Sequence, residues 1–423
     1  MNLTDIIESL PKRCYRSEVE PKTIQLEKNI AAALGTSKRQ SIPVLKPVVH
    51  AISDKLALQK ITSGNVDIDV FAAQWLLDTE ELQQTIFRNV VRDGETYILI
   101  NIVNGIAKYT NIEAYNGSTG AAYIYGDNDT VEYALHIWQD NKVYYCDVYF
   151  IDRIEQYRFN SKEWEQYNTI EWNAALGLPL IKFDIGVSDI ADAIQLNKDI
   201  NEAILDLIAV SRTMGFPQRY TTGKLNAELI LNSYGQALID PVGNRPLTRN
   251  LTLQPGGILN FSEGTTLGQL DAATADTSVI DKLLHLLTIV TTVPMHYFTG
   301  SWPSGIALLN AEMRLNHKVE SHQMLLTAGV SALLETTIRL LNEFSGTTLP
   351  IDNATFDILW YAPQILTQEL QLEIDRARVD NVMKLKAAGL VSLETAIRSI
   401  YPVWNETQIQ AEVARIVAEN TLL

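Results

Sequence analysis

An α+β architecture follows from two changes of hydropathic period along the 423 residues and from one very long helical stretch. Apolar residues recur at helical spacing up to about residue 90, β-branched and aromatic residues cluster from Thr96 to about Phe183, and helical spacing returns after Gly186. The long stretch runs from about Ile306 to Asn342, roughly 55 Å at 1.5 Å per residue, more than a compact domain needs.

The first helical layer is carried by Val44, Leu45, Val48, Val49, Ile52 and Leu56, and again by Phe71, Ala72, Trp75, Leu76 and Leu77. Arg92-Asp93-Gly94-Glu95 reads as a turn before a buried strand over Thr96–Ile100. An antiparallel meander is expected from Tyr123–Tyr125, Tyr133–Trp138, Lys142–Tyr149 and Arg153–Phe159, with a last strand at Leu178–Phe183. Asp127, Asn128 and Asp129 form a hairpin turn rather than a calcium loop, because the spaced acids and distal Glu of an EF-hand are missing.

Ser188 is the expected N-cap of a helix running to about Met214, with Asp189 and Asp192 favourable to the dipole of its first turn and Gly215 and Pro217 ending it. Its net charge is −3. Phe216 to Leu270 is turn-rich and short-stranded, with Lys224, Arg245 and Arg249 too dispersed for a nucleic-acid patch. Asp276 to Val293 forms a second helix whose apolar face, through Val279, Leu283, Leu286, Val290 and Val293, is wide enough to need burial by other helices, of this chain or of further copies. Pro294 stops it, and Thr299-Gly300-Ser301-Trp302-Pro303-Ser304-Gly305 is an exposed loop before the long helix. A short strand at Phe356–Trp360 and two or three helices over 366–421 complete the chain.

Composition narrows the function. With 34 Lys+Arg against 50 Asp+Glu the net charge is −16, which argues against a protein that clamps nucleic acid by neutralising phosphates. Cys14 and Cys146 are the two cysteines, too far apart for a zinc pair or a CxxC motif. No export signal is expected at the N-terminus, and the apolar core of the longest charge-free stretch, Leu283–Val293, is too short to span a bilayer. Gly223-Lys224 lacks the rest of a P-loop, GxGxxG and GxSxG are absent, and His317 and His322 are not spaced as a zinc pair. Neither a cofactor nor a metal is implied, and the expectation is a protein that is not an enzyme.

Thr291-Thr292-Val293-Pro294-Met295-His296-Tyr297-Phe298, followed by Pro303-Ser304-Gly305-Ile306-Ala307-Leu308 and then Glu312, Leu315 and Lys318, resembles the portal proteins of tailed double-stranded DNA bacteriophages. Ile306 departs from the polar residue commoner there. Ser188–Asn197 through Phe216-Pro217-Gln218-Arg219-Tyr220, Gln254-Pro255-Gly256-Gly257-Ile258-Leu259, and Lys386–Ala396 are similar to further parts of the same family.

The resemblance implies a portal fold: an α/β wing over 1–187 with the long helix and strand of 306–363, stem helices over 188–214 and 271–297, a small α/β clip over 215–270, a tunnel loop over 298–305 and a helical crown over 364–423. It implies a homo-oligomeric ring, usually of twelve copies, at one capsid vertex of the virion, assembled in the host cytoplasm. Double-stranded DNA would pass through it without sequence readout during packaging and ejection. Terminase large subunit, head-tail adaptor, major capsid protein and scaffolding protein would be its partners, and no membrane would be involved.

Phe298, Thr299, Gly300, Ser301, Trp302, Pro303, Ser304 and Gly305 would face the DNA. Asp192, Asp199, Glu202, Asp206, Asp276 and Asp281 are candidates for an acidic channel wall that repels phosphate, and Arg245 and Arg249 for contacts of the clip. Two other readings stay open from the residues alone: another virion structural protein such as a scaffold or adaptor, and an acidic hydrolase.

Overall fold

The computed structural model describes residues 3–26, 36–126, 128–215, 219–222, 228–229, 248–249, 266–269, 277–301, 303, 305–351, 354–363, 368–401 and 404–421. Two short helices, α1 (Leu3–Ser9) and α2 (Arg16–Val19), precede the antiparallel pair β1 (Thr23–Gln25) and β2 (Lys38–Gln40). Helix α3 (Leu45–Ser53) buries Leu45, Val48, Val49 and Ile52, as their spacing requires. After β3 (Leu58–Thr62), α4 (Val66–Asp78) is capped by Asn65, whose side chain accepts from the amides of Asp67 and Ile68. Helix α5 (Glu80–Asp93) ends at Gly94, whose φ of +85° is a left-handed cap that glycine adopts without strain.

The β region follows as β4 (Glu95–Val103), β5 (Ile106–Glu113), β6 (Gly120–Tyr125), β7 (Val131–Asp140), β8 (Val143–Tyr149), β9 (Arg153–Phe159), β10 (Trp164–Glu171) and β11 (Leu180–Asp184). It forms two sheets. Strands β6 to β10 make a five-stranded antiparallel meander, while β4 lies between β11 and β5 in a three-stranded sheet. Side chains alternate as a period of two demands. Tyr133, Leu135, Ile137, Cys146 and Val148 face Leu3 and Leu10, whereas Ala134, Tyr149 and Ile154 face Tyr97 and Leu180 of the smaller sheet.

Helix α6 (Ile194–Gly215) leads to β12 (Arg219–Thr222), β13 (Glu228–Leu229), β14 (Thr248–Arg249) and β15 (Thr266–Gln269), with β12 paired to β15 and β13 to β14. Then come α7 (Ser278–Thr291), α8 (His296–Thr299), α9 (Gly305–Ser345), β16 (Asp357–Trp360), α10 (Gln368–Ala387), α11 (Leu393–Ile400) and α12 (Glu406–Thr421). Strand β16 pairs antiparallel with β3. The chain divides into two compact units, one of Met1–Pro21, Pro43–Asn197 and Leu284–Leu423, the other of Lys22–Ile42 and Lys198–Leu283.

The N-terminal layer carries the helices α1 to α5, as its spacing predicts, and also contributes the short strands β1, β2 and β3. Two expectations are corrected. The expected meander is present as β6 to β9 and is extended by β10, but the last strand does not join it: β11 pairs with β4 in the three-stranded sheet. Ser188 does not cap α6: its hydroxyl donates to the carbonyl of Arg92 and accepts from the Ile190 amide, and a 3-10 turn over Ala191–Ala193 precedes the α-helix.

The long helix α9, 41 residues, is the core of its unit. Leu315, Val319, Leu326, Val330, Leu333, Leu334 and Ile338 are all buried along one face. By length and composition its Asn310–Ser345 stretch could cross a membrane, but 56% of the window is buried inside the protein, as in a core helix. Gly329 lets α9 approach β11 closely, since a Cβ there would lie 2.8 Å from the buried Phe183 ring. Gly329→Val should therefore cost about 1–3 kcal/mol by overpacking. Urea unfolding would show it as a lower midpoint at unchanged slope, and a wild-type midpoint would mean that the ring yields.

Candidate functional site

The resemblance singled out His296, Tyr297, Glu312 and Lys318 without giving them work, and the structure supplies it. Helix α7 ends at Thr291, whose hydroxyl bonds back to the Leu287 carbonyl at 2.7 Å. Thr292 then adopts φ +64°, a left-handed conformation that costs a β-branched residue about 1–3 kcal/mol. Buried Val293 and Pro294 follow, and the single turn α8 closes at Gly300 with φ +70°.

Glu312, two turns into α9, is 1% exposed and would be costly as a lone buried charge. Lys55 Nζ donates to it at 2.8 Å and the Tyr297 hydroxyl at 3.1 Å. His296 Nε2 lies 3.3 Å from Glu312 Oε1, the oxygen that Tyr297 also reaches, while Lys55 takes Oε2. Lys55 also donates to Asn316 Oδ1 at 3.1 Å and to the Pro363 carbonyl at 2.8 Å. Burial, then the Glu312 charge, push the Tyr297 phenol well up, so it stays a donor at neutral pH. Through this cluster α8 and α9, on either side of the loop, are fastened to one carboxylate.

A second cluster lies further along α9. Asp189, expected as a dipole-favouring residue of a first helical turn, is instead buried, with Lys318 Nζ at 2.7 Å and His322 Nε2 at 2.8 Å from its carboxylate. Lys318 also donates to the Thr291 carbonyl at 3.2 Å, fixing the last carbonyl of α7. The segment carrying Asp189 is held by main-chain bonds from Ile185 to Gly94 and from Asp189 to Val91, against a glycine that leaves no room for a Cβ. Sequence reasoning missed Lys55 and gave Asp189 a local role instead of its ion pair, because an isolated charge carries no periodic signal of a distant partner.

The expected loop is shorter than 298–305. Phe298 and Thr299 belong to α8 and Gly305 opens α9; Gly300 and Ser301 are exposed and Pro303 is half-buried, while Trp302 and Ser304 lie outside the described residues. Of the acidic candidates, Glu202 and Asp206 are exposed and Asp199 half-buried on one stripe of α6. Beside this stripe Leu205 and Ile208 pack against Leu26. Asp192 is exposed in the 3-10 turn before α6 and Asp281 is exposed on α7, while Asp276 lies outside the described residues. Arg249 lies in β14 with its backbone opposite Glu228, and Arg245 is outside the described residues. The face of α7 divides. Leu287 is buried, whereas Val279, Leu286, Ile289 and Val290 are exposed, Ile289 by 69%. Among the described residues no three His, Cys, Asp or Glu side chains converge as metal ligands.

Removing one partner of a buried pair costs about 3–5 kcal/mol, because the other charge is left uncompensated. Lys55→Met should show a loss of that order in urea unfolding. Lys55→Met combined with Glu312→Gln should recover most of it, and simple additivity of the two changes would refute the coupling.

The chain matches the family model described as "Phage portal protein, SPP1 Gp6-like" over residues 78–421. No match was found among curated proteins. Among solved structures it resembles a chain of "Virion of native gene transfer agent (GTA) particle" and one of "Neck of empty GTA particle computed with C6 symmetry", each at 12% identity and TM-score 0.43, covering 89% of this chain and 95% of the other. It resembles a chain of "Neck of native GTA particle computed with C12 symmetry" at 13% identity and TM-score 0.42, covering 91% of this chain and 96% of that one. Since the family model extends from the last residue of α4 to the last residue of α12, the chain belongs to the phage portal protein family, SPP1 Gp6-like.

Proposed function

We propose that the chain closes into a homo-oligomeric ring, of twelve copies, at one capsid vertex of a virion, and that double-stranded DNA passes through the ring during packaging and ejection. The observation that carries this reading is the exposed apolar face of α7. Val279, Leu286, Ile289 and Val290 stand in water on a helix that buries Leu287 and Thr291 within the chain. Fully burying an aliphatic side chain is worth about 1.5–3 kcal/mol, so neighbouring copies packed on this face would gain several kcal/mol each. A ring repeats that contact without leaving an open end.

The acidic residues Asp192, Glu202, Asp206 and Asp281 suit a wall past which phosphates slide, whereas a basic wall would hold DNA in a salt-dependent way. Twelve copies at −16 carry −192. In this reading residues 1–187 with 306–363 are the wing, 188–214 and 271–297 the stem, 215–270 the clip, 298–305 the tunnel loop and 364–423 the crown. Terminase large subunit and head-tail adaptor dock on the clip, and capsid and scaffolding proteins surround the wing. The portal itself is not an enzyme, and ATP hydrolysis belongs to the terminase. Assembly takes place in the host cytoplasm.

Two experiments test the reading. Leu286→Glu with Ile289→Glu places charge on the exposed face of α7 and should abolish ring formation while the subunit stays folded by circular dichroism; rings formed by this variant would contradict the role of α7. Deleting residues 299–304 should leave rings intact but reduce packaged DNA in a packaging assay, since the Glu312 cluster lies outside the deletion. Normal packaging by such rings would remove the loop from the DNA path.

A further inference from the structure

The five-stranded sheet ends at β10, and among the described residues no strand pairs with its outer edge. Glu165 to Glu171 are exposed without interruption, including Tyr167 and Ile170. An open edge is a row of unpaired N–H and C=O groups on which another chain can build. Edges are ordinarily blunted by lysine, proline, other charges or bulges; Trp164–Glu171 has no lysine or proline, and carries two glutamates and one bulge. Its charges are Glu165 and Glu171, with Lys162 and Glu163 just before, so the run from 162 to 171 is net −2. They repel an acidic strand, a second copy of this −16 chain included, and favour a basic one.

Two rows of side chains cross the sheet to this edge. In the aromatic row His136 lies on Trp138 at 4.8 Å between ring centroids, and Trp138 stacks on Tyr145 of the next strand at 5.7 Å and 17°. Tyr145 then meets Tyr167 edge-on at 6.4 Å. In the polar row Asn168 Nδ2 donates to Gln156 Oε1 at 2.8 Å, and Gln156 Nε2 donates to Asp147 Oδ1 at 3.1 Å. Both rows end where the ladder is broken, since the β9–β10 register shifts between Gln166 and Asn168 and leaves Tyr167 out of the pairing. Asp147 has neutral donors, Gln156 and the Tyr149 hydroxyl at 3.4 Å, and burial pushes its carboxyl up to about 6. The neighbouring Arg158 is paired with Glu165 at 3.4 Å.

We propose that the outer edge of β10 takes an extended, basic segment of another protein as a sixth strand, with an arginine or lysine of that segment seated against Tyr167 and Asn168. Backbone pairing would supply affinity, the glutamates would select for positive charge, and the two rows would choose the side chain at the bulge. The inference rests on the sheet alone and stands apart from the portal reading.

The test uses the full-length protein and a labelled octapeptide of alternating Arg and Thr, with a Glu/Thr octapeptide as control, read by fluorescence anisotropy. The Arg peptide should bind at least about tenfold more tightly than the Glu peptide and slow amide exchange within residues 164–171. E165K combined with E171K should weaken it by about tenfold or more. Y167A should weaken it several-fold at unchanged charge, which diffuse attraction to an acidic protein would not explain. No binding of the Arg peptide up to about 1 mM, equal binding of both peptides, indifference to these substitutions, or protection confined to other segments would each overturn the proposal. Self-association of the unliganded protein that E165K with E171K alters would assign the edge to a second copy and overturn it equally.

Discussion

Two buried carboxylates on or against α9 hold the arrangement around the loop. Glu312 is nearly inaccessible, and leaving it without donors would cost far more than any one apolar contact in the region contributes. Its donors come from two places in the chain, Lys55 just beyond α3 and His296 with Tyr297 in α8, and Lys55 donates in turn to the Pro363 carbonyl that follows β16. Asp189 repeats the device with Lys318 and His322, and Lys318 carries it on to the end of α7. The elements that bracket the loop are thus located by electrostatics that tolerate little displacement, because hydrogen bonds to a buried charge weaken steeply with distance and angle.

That rigidity leaves two kinds of surface free to act. The segment around Gly300 is anchored on both sides and short, with a left-handed glycine at its start. On α7, Leu287 and Thr291 are consumed by the chain's own packing while Val279, Leu286, Ile289 and Val290 remain in water. In the proposed ring these positions are covered by neighbouring copies. The acidic stripe of α6 is fixed in the same manner: Leu205 and Ile208 are taken up by Leu26, so Glu202 and Asp206 are left outward.

Much of this was legible in the sequence where a period or a local rule existed. The apolar spacing of α3, the turn at Gly94, the return of helical spacing after Gly186 and the length of α9 all follow from the chain itself. The misses have physical reasons. Strand β10 is exposed on both faces, so its sequence carries no alternation to read. Strands β1 and β2 are three residues each, too short for any period. Ser188 and Asp189 satisfy the local grammar of a helix start, but the Arg92 carbonyl and the Lys318–His322 pair compete for them and prevail. Within the candidate site, His296, Tyr297, Glu312 and Lys318 could be picked out by resemblance, whereas their partner Lys55, 257 positions before Glu312, could not.

The central claim is that the exposed face of α7 is completed by further copies of the same chain in a closed ring. Native mass of the purified full-length protein, with negative-stain images of the same sample, measures this directly. The account predicts a closed assembly of about twelve subunits of 47.3 kDa around an open axial hole. A monomer at about 10 μM, alone and with scaffolding protein added, would contradict it.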